Sequence, residues 1–196
     1  PNGLRDFLEE RLKDKNVLTD TPFAGESKLA DNKGRLEFAI SWLSGADGFI
    51  QSYCNTIPTP QGGTHETGLR SALSRSLKSY GEMVGNKKAA QITAEDVMAG
   101  ACVLLSVFIG DPQFQGQTKE KLANSDVTRL VDTAIRDTFD HWLSQDPGRA
   151  NALLEAIIEK AEERQRRRED REQQRKSATR KTRLPGKLAD CSRSAK

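Results

Sequence analysis

The tripeptide Gln117-Thr118-Lys119 brings together two neutral donor side chains and one fixed positive charge in a connecting segment. The segment, "GDPQFQGQTKEKLANS" (110–125), follows an apolar run and precedes an amphipathic helical pattern that starts near Val127. A lysine ammonium beside an amide donor suits a phosphate whose charge is redistributing. In an extended loop, residues two apart point the same way, so we expect Gln117 and Lys119 to act together. From the residues alone, an exposed polar loop is the alternative interpretation.

The second feature that could do chemistry is an uneven distribution of charge. Residues 1–163 carry 18 Lys and Arg against 24 Asp and Glu, whereas residues 164–183 carry 10 against 3. A basic run of this kind can neutralise nucleic-acid phosphates without reading sequence, or it can be a solvated helix face. The candidates for DNA contact, called the basic cluster below, are Arg166, Arg167, Arg168, Arg175 and Lys176.

The common catalytic and metal-binding motifs are absent from the sequence. It contains no GxxxxGK[ST] or GxGxxG phosphate loop, no HExxH and no paired cysteine spacing, so we predict no metal site in this chain. His65, before a helical pattern, could anchor a loop or take part in catalysis, and His141 fits the boundary of an apolar stripe. Cys54 and Cys102 lie in apolar runs, where free thiols behave as small hydrophobes in a reducing cytoplasm. No apolar run reaches the ~20 residues that span a bilayer, so no membrane partner is expected.

The elements that must position these residues indicate an α+β fold. Alternation predicts a half-buried strand over 35–43, joined by a hairpin-like connection at 45–48 to a second strand over 49–57. A continuous apolar run over 101–109 predicts a central strand. Apolar spacing predicts helices at 1–12, from residue 66 to 80, at 93–100 with a capping box from Thr93 to Asp96, over 127–142, and from about 147 onward. We therefore expect a small mixed sheet with helices on one side, followed by a long protruding basic helix of good helix formers that lacks a core face after Ala161.

Five segments together resemble the B subunits of bacterial type IIA DNA topoisomerases, in the order of that family. They are "PNGLRDFL" (1–8), "SYCNTIPTPQGGTHETGLRSAL" (52–73), "SVFIGDPQF" (106–114), "DPQFQGQTKEKL" (111–122) and "RLPGKLADC" (183–191). Within the family, "IPTPQGGTHETGLR" and "RKSATRKTRLPGKLADC" are more similar to topoisomerase IV than to DNA gyrase.

The resemblance implies a domain organisation. Residues 1–160 would be a transducer domain of the ribosomal-protein domain 2-like type with a left-handed βαβ crossover, and 1–34 would include the junction from a GHKL ATP-binding domain that precedes Pro1. Residues 161–183 would be a basic linker helix, and 184–196 would begin a Toprim domain. The ATP-binding domain would supply the catalytic glutamate, the Mg²⁺-binding asparagine and the nucleotide lid.

The resemblance also implies roles and partners. Gln117 and Lys119 would contact the γ-phosphate of ATP, with Lys119 as the catalytic contribution, and Arg70 would face the cavity that the transported duplex crosses; a solvated arginine is the alternative for Arg70. The intact enzyme would be a cytoplasmic, nucleoid-associated isomerase that uses ATP and Mg²⁺, dimerises through its ATPase domain and forms a heterotetramer of two A and two B subunits on double-stranded DNA. This chain alone would be inactive. The alternatives are a gyrase B transducer and, from another class, a stand-alone nucleic-acid-binding module of the same fold.

Overall fold

The computed structural model describes the backbone of residues 3–181 and the side chains up to residue 176, and it contains a five-stranded mixed sheet. Expectations for residues 184–196 and for Cys191 lie outside the described part. The strands are β1 (Phe23–Lys28), β2 (Gly34–Trp42), β3 (Phe49–Cys54), β4 (Ile57–Pro58) and β5 (Ala101–Ile109), in the spatial order β1-β2-β5-β3-β4. Strand β5 pairs antiparallel with β2 and parallel with β3. The apolar run 101–109 is therefore the central strand, as predicted.

Helices cover both faces of this sheet. They are α1 (Leu4–Leu12), α2 (Thr64–Met83), α3 (Ala94–Met98), α4 (Ser125–Gln145) and α5 (Pro147–Lys181). On one face, the even-numbered residues of β2 and the odd-numbered residues of β5 join the main core with α2, α4 and the first turns of α5. On the other face, Leu8 and Leu12 of α1 pack with Ala39, Cys102 and Leu104. The prediction of helices on one side was wrong, because α1 buries its own apolar stripe against the opposite face.

Close helix packing and one buried aromatic cluster stabilise the main core. A Cβ at Gly68 of α2 would lie 2.5 Å from the Thr128 carbonyl oxygen of α4, so these two helices cross at a distance that requires glycine. Trp42 is fully buried against Phe139 and Trp142 of α4. Its indole N–H donates to the Val97 carbonyl at 2.9 Å, which fastens α3 to the sheet. The predicted capping box at the start of α3, between Thr93 and Asp96, is confirmed.

Two predicted connections differ from the structure. Strands β2 and β3 are not neighbours, so residues 45–48 do not close a hairpin; β2 instead pairs with β1, a strand that the sequence patterns did not predict. The predicted single strand over 49–57 is a hairpin of β3 and β4 whose turn residues, Asn55 and Thr56, both have positive φ. Asparagine tolerates this conformation, and the Asn55 side-chain amide exchanges two hydrogen bonds with the Ile109 backbone, at 2.8 and 3.0 Å.

The chain divides into two compact units, with the boundary between Lys160 and Ala161. The first unit contains the sheet and its helices. Within the second, the side chains of residues 166–176 are exposed, as expected for a helix without a core face. None of the helices in the described range 3–181 has the length and apolar character needed to cross a membrane.

Candidate functional site

The segment that carries Gln117 and Lys119 is the tip of a short β-hairpin. Strand β6 (Phe114–Gln115) pairs antiparallel with β7 (Lys121–Leu122), and residues 116–120 connect them. Gly116 and Lys119 both have positive φ, at 79° and 56°. The expectation of an extended loop was therefore wrong, because the chain must reverse direction between two paired strands. The side chains of Gln117 and Lys119 are both exposed at this tip.

Asn124 fixes the base of the hairpin. Its side-chain oxygen accepts from the Gln113 backbone N–H at 2.7 Å, and its side-chain nitrogen donates to the Asp111 carbonyl at 2.9 Å. The Ala123 N–H closes the base by donating to the Gln113 carbonyl at 2.8 Å. Helix α4 begins at the next residue, so the hairpin emerges directly from a helix that is packed in the main core.

A second set of contacts docks the hairpin on the segment 59–63, which we call the strap. The Leu122 N–H donates to the Gly62 carbonyl at 3.1 Å, and the Gln61 N–H donates to the Glu120 carbonyl at 3.0 Å. The Gln61 side-chain amide also donates to the Glu120 carboxylate at 2.5 Å. A Cβ at Gly63 would lie 2.3 Å from the Leu122 carbonyl oxygen, so strap and hairpin touch backbone to backbone.

A buried polar network holds the other end of the strap. The Ser52 hydroxyl donates to the Glu66 carboxylate at 2.6 Å and lies 2.7 Å from the Thr59 hydroxyl, which in turn lies 3.1 Å from His65 Nε2. His65 is fully buried, and desolvation lowers its pKa from 6.5 to about 4, so the ring is neutral at pH 7. This geometry favours the loop-anchoring interpretation of His65 over catalysis. His141, by contrast, is exposed.

Arg70 lies near the hairpin, two turns into α2. Its side chain is 39% exposed, and its guanidinium is 3.8 Å from the Glu66 carboxylate. It lines a cavity of about 340 Å³ that Gln115 and Lys121 of the hairpin also line. The structure therefore brings Arg70 and the hairpin to one cleft, although Gln117 and Lys119 are not among the residues that line it.

The basic cluster belongs to the second unit, where all five of its side chains are exposed. Two of them are paired along the helix, Arg167 with Glu163 at 2.5 Å and Lys176 with Glu172 at 2.8 Å. The hydrogen bond from Lys176 holds the pKa of the Glu172 carboxyl below its usual value. Exposed i,i+4 pairs are weak, so these cations could exchange their partners for phosphates at little cost.

The described cysteines are structural. Cys54 and Cys102 are buried free thiols, as predicted, and burial raises the pKa of Cys54 to about 11 and also raises that of Cys102. Both thiols are therefore protonated at neutral pH and unreactive. Among the residues that the structure describes, no three His, Cys, Asp or Glu side chains are grouped as a metal site would require.

The sequence matches the model of the DNA gyrase B family over residues 3–173. The chain belongs to the DNA gyrase B family. The resemblance found in the sequence is thereby confirmed. Over its whole length the chain is 56% identical to the B subunit of DNA topoisomerase 4 from Bartonella bacilliformis, and it spans 28% of that relative's length.

Two solved structures share the fold of this family member. The topoisomerase IV ATP binding domain of Francisella tularensis, solved with a small-molecule inhibitor, matches 83% of this chain with a TM-score of 0.71 and 37% identity. The 43K ATPase domain of Thermus thermophilus gyrase B, solved with an aminocoumarin, matches 87% with a TM-score of 0.76 and 29% identity. This chain covers 43% and 46% of those two chains. The mixed α+β architecture predicted from the sequence is confirmed at this level.

Several residues that organise the site were not identified from the sequence. Gln61 and Glu120 are 59 positions apart, and Ser52 and Asn124 act through side-chain hydrogen bonds that leave no periodic trace. The one available signal was the run "PTPQGG", whose paired glycines indicate special backbone geometry or a close approach.

Proposed function

We propose that this chain is the transducer segment of the B subunit of a topoisomerase IV-type enzyme. In the intact enzyme it couples ATP binding and hydrolysis to the passage of one DNA duplex through another, which makes the whole an ATP-dependent isomerase that relaxes and decatenates DNA. The identity of 56% to a topoisomerase 4 protein, against 29% to the gyrase B structure, supports this type over gyrase. The finer fold, ribosomal-protein domain 2-like with a left-handed crossover, is part of the proposal.

The observation that carries the proposal is the exposed tip of a rigidly based hairpin. Lys119 and Gln117 stand at this tip, while Asn124 and the strap hold its base. A cation and a neutral donor on such a support fit a phosphate that another part of the intact protein presents. We assign them to the γ-phosphate of ATP, and we assign the remaining ATP contacts and the Mg²⁺ ligands to the ATP-binding domain of the intact protein.

In this proposal, the residues predicted to face DNA form two groups. Arg70 is partly exposed on α2, where its charge can meet a duplex held between two B subunits. The basic cluster, in the linker helix 161–183, contacts phosphates on the way to the Toprim domain that residues 184–196 begin. The functional assembly is a heterotetramer of two A and two B subunits in the cytoplasm, associated with the nucleoid, and the B subunits dimerise through their ATPase domains.

The proposal is tested by replacing the tip residues in the intact protein. Lys119→Ala should lower the single-turnover rate of ATP hydrolysis by roughly 10²–10³, since a charge aimed at the γ-phosphate counts most as that group separates. Gln117→Ala should lower the rate less, because the amide carries no net charge. ATP affinity should change little, because the other domain holds most of the nucleotide, and decatenation should fall with hydrolysis.

A matched control is available on the same hairpin. Lys121 is exposed on β7, at the base rather than the tip, so Lys121→Ala removes an equal charge from the same element. It should leave hydrolysis within about twofold of the parent. Normal hydrolysis and normal decatenation in Lys119→Ala would refute the assignment of the tip to the phosphate.

Gyrase B is the second candidate, because the matching family model is that of DNA gyrase B. The two functions differ in product. Intact enzyme that introduces negative supercoils with ATP would be a gyrase, whereas decatenation and relaxation without supercoiling would support the topoisomerase IV assignment.

A further inference from the structure

The strap lies between the hairpin and the helix that carries Arg70, and it is bonded to both. On the hairpin side, Gln61 holds Glu120 through a backbone and a side-chain hydrogen bond, and the Gly62 carbonyl accepts from Leu122. Glu120 is the residue next to Lys119. Any displacement of the tip is therefore applied first to Gln61.

On the helix side, the strap rests against the carboxylate that pairs with Arg70. The Thr59 hydroxyl and the Glu66 carboxylate share the Ser52 hydroxyl. A Cβ at Gly62 would lie 2.7 Å from the Glu66 carboxylate, so the strap backbone packs directly on this group. The side chain of Glu66 is only 16% exposed, which leaves it little room to move independently.

The strap is also short and internally closed. The Gly62 N–H donates to the Thr59 carbonyl at 2.8 Å, and the Thr59 N–H donates to the Ser52 carbonyl at 2.9 Å. Gly63, at its end, makes backbone contact with Leu122 and leads at once into α2. A segment of this length with bonds at both ends moves as one body with whatever is attached to it.

We propose that the strap is the mechanical link between the hairpin tip and Arg70, and that Gln61 and Glu120 are the positioning residues that engage it. The inference rests on the proposed function, in which Lys119 meets the ATP γ-phosphate and Arg70 meets the transported duplex. When the nucleotide pulls on the tip, the strap shifts the Glu66 carboxylate and so changes how firmly Arg70 is held. By linkage, duplex DNA bound at Arg70 changes the interaction of the tip with ATP to the same extent.

The test is an exchange of the two partners in the intact protein, assembled with its A subunit. Gln61→Glu places two carboxylates against each other, whereas the double variant Gln61→Glu/Glu120→Gln restores one amide donor and one carboxylate acceptor with the roles reversed. The readout is the ratio of ATP hydrolysis rates with and without linear duplex DNA. Gln61 is exposed, so both variants should fold.

In Gln61→Glu we expect this ratio to move towards one by about two- to fivefold, the range set by an exposed charge-assisted hydrogen bond, while the rate without DNA stays within about twofold. The double variant should return the ratio to the parent value, which a purely steric role of position 61 would not produce. Gln115→Glu is the matched control, because it adds the same charge to the same hairpin on β6 and should leave the ratio unchanged.

A parent ratio of one, an unchanged ratio in Gln61→Glu, or no recovery in the double variant would overturn the link. These failures are distinct from failure of the proposed function. If Lys119→Ala slows hydrolysis but Gln61→Glu keeps the parent ratio, the tip contacts ATP and the strap does not transmit it. If Lys119→Ala hydrolyses ATP normally, the proposed function itself fails.

Discussion

Burial of a neutral histidine should make the stability of this chain depend on pH between about 4 and 6.5. His65 is fully buried with Nε2 on the Thr59 hydroxyl, and its Nδ1 has no hydrogen-bond partner among the described residues. Desolvation lowers its pKa in the folded state to about 4, against 6.5 in the unfolded chain. The unfolded state therefore binds the proton more readily, and the contribution of His65 to stability is complete above pH 6.5 and is lost as the pH falls towards 4.

The size of the effect follows from the two pKa values. A difference of ~2.5 pKa units corresponds to about 3 kcal/mol when both states are protonated, and about 2 kcal/mol of this should be lost between pH 7.5 and pH 5. The assay is urea unfolding of the chain at a series of pH values, with the free energy of unfolding compared for parent and variants. In His65→Gln the part of the slope due to this residue should disappear, although the variant will be less stable at pH 7.5 because the buried network is altered.

The chain offers a matched control, since its other histidine is exposed on α4. His141→Gln should reproduce the pH slope of the parent. If His65→Gln keeps the slope of the parent between pH 7.5 and 5, or if His141→Gln removes it, the buried ring is not the group that titrates and the reasoning fails.

Four further predictions concern packing and charge. Thr93→Ala should lower the free energy of unfolding by about 1 kcal/mol, because it removes half of the capping box of α3; urea unfolding measures this, and no change would contradict the role of the cap. Gly68→Ala should cost about 1–3 kcal/mol, because the new methyl group would meet the carbonyl of Thr128, and parent-like stability would show that the helices can separate freely. Reversal of the basic cluster to glutamate should weaken DNA binding by the intact enzyme and flatten the dependence of affinity on salt, because fewer counterions are released; unchanged affinity and slope would leave the helix as a spacer. Hydrogen exchange should be faster at residues 166–176, which have exposed side chains, than in β5, and equal protection would contradict the absence of a core face there.

Sequence periodicity predicted the elements that have a strong local signal. The alternation over 35–43 and the unbroken apolar run 101–109 correspond to β2 and β5, because burial on one or both faces dictates those residue types directly. Strand β1 was missed because only Phe23 is buried in it, so its sequence "FAGESK" has no alternation to detect. The hairpin-like connection at 45–48 was inferred from adjacency in sequence, but the partner of β3 is β5, about fifty residues later in the chain.

The candidate site divides in the same way. The tip residues Gln117 and Lys119 could be selected from their types and from the family resemblance. Their support could not, because Gln61 meets Glu120 only after β3, α2 and β5 have assembled the sheet. The conformation of the tip also depends on pairing, since Lys119 adopts a positive φ to close a hairpin whose strands are only two residues long.

The double anchoring of the hairpin has a consequence for how this region can evolve. The tip is closed by residues 116–120, and its base is fixed by Asn124 on one side and by the strap on the other. One inserted residue would shift the following positions by up to ~3.3 Å, which exceeds the tolerance of a hydrogen bond. Selection should therefore act on the number of residues between Gln115 and Lys121 more strictly than on the identity of a position such as Thr118. Among related genes, length in this segment should be preserved even where the letters drift.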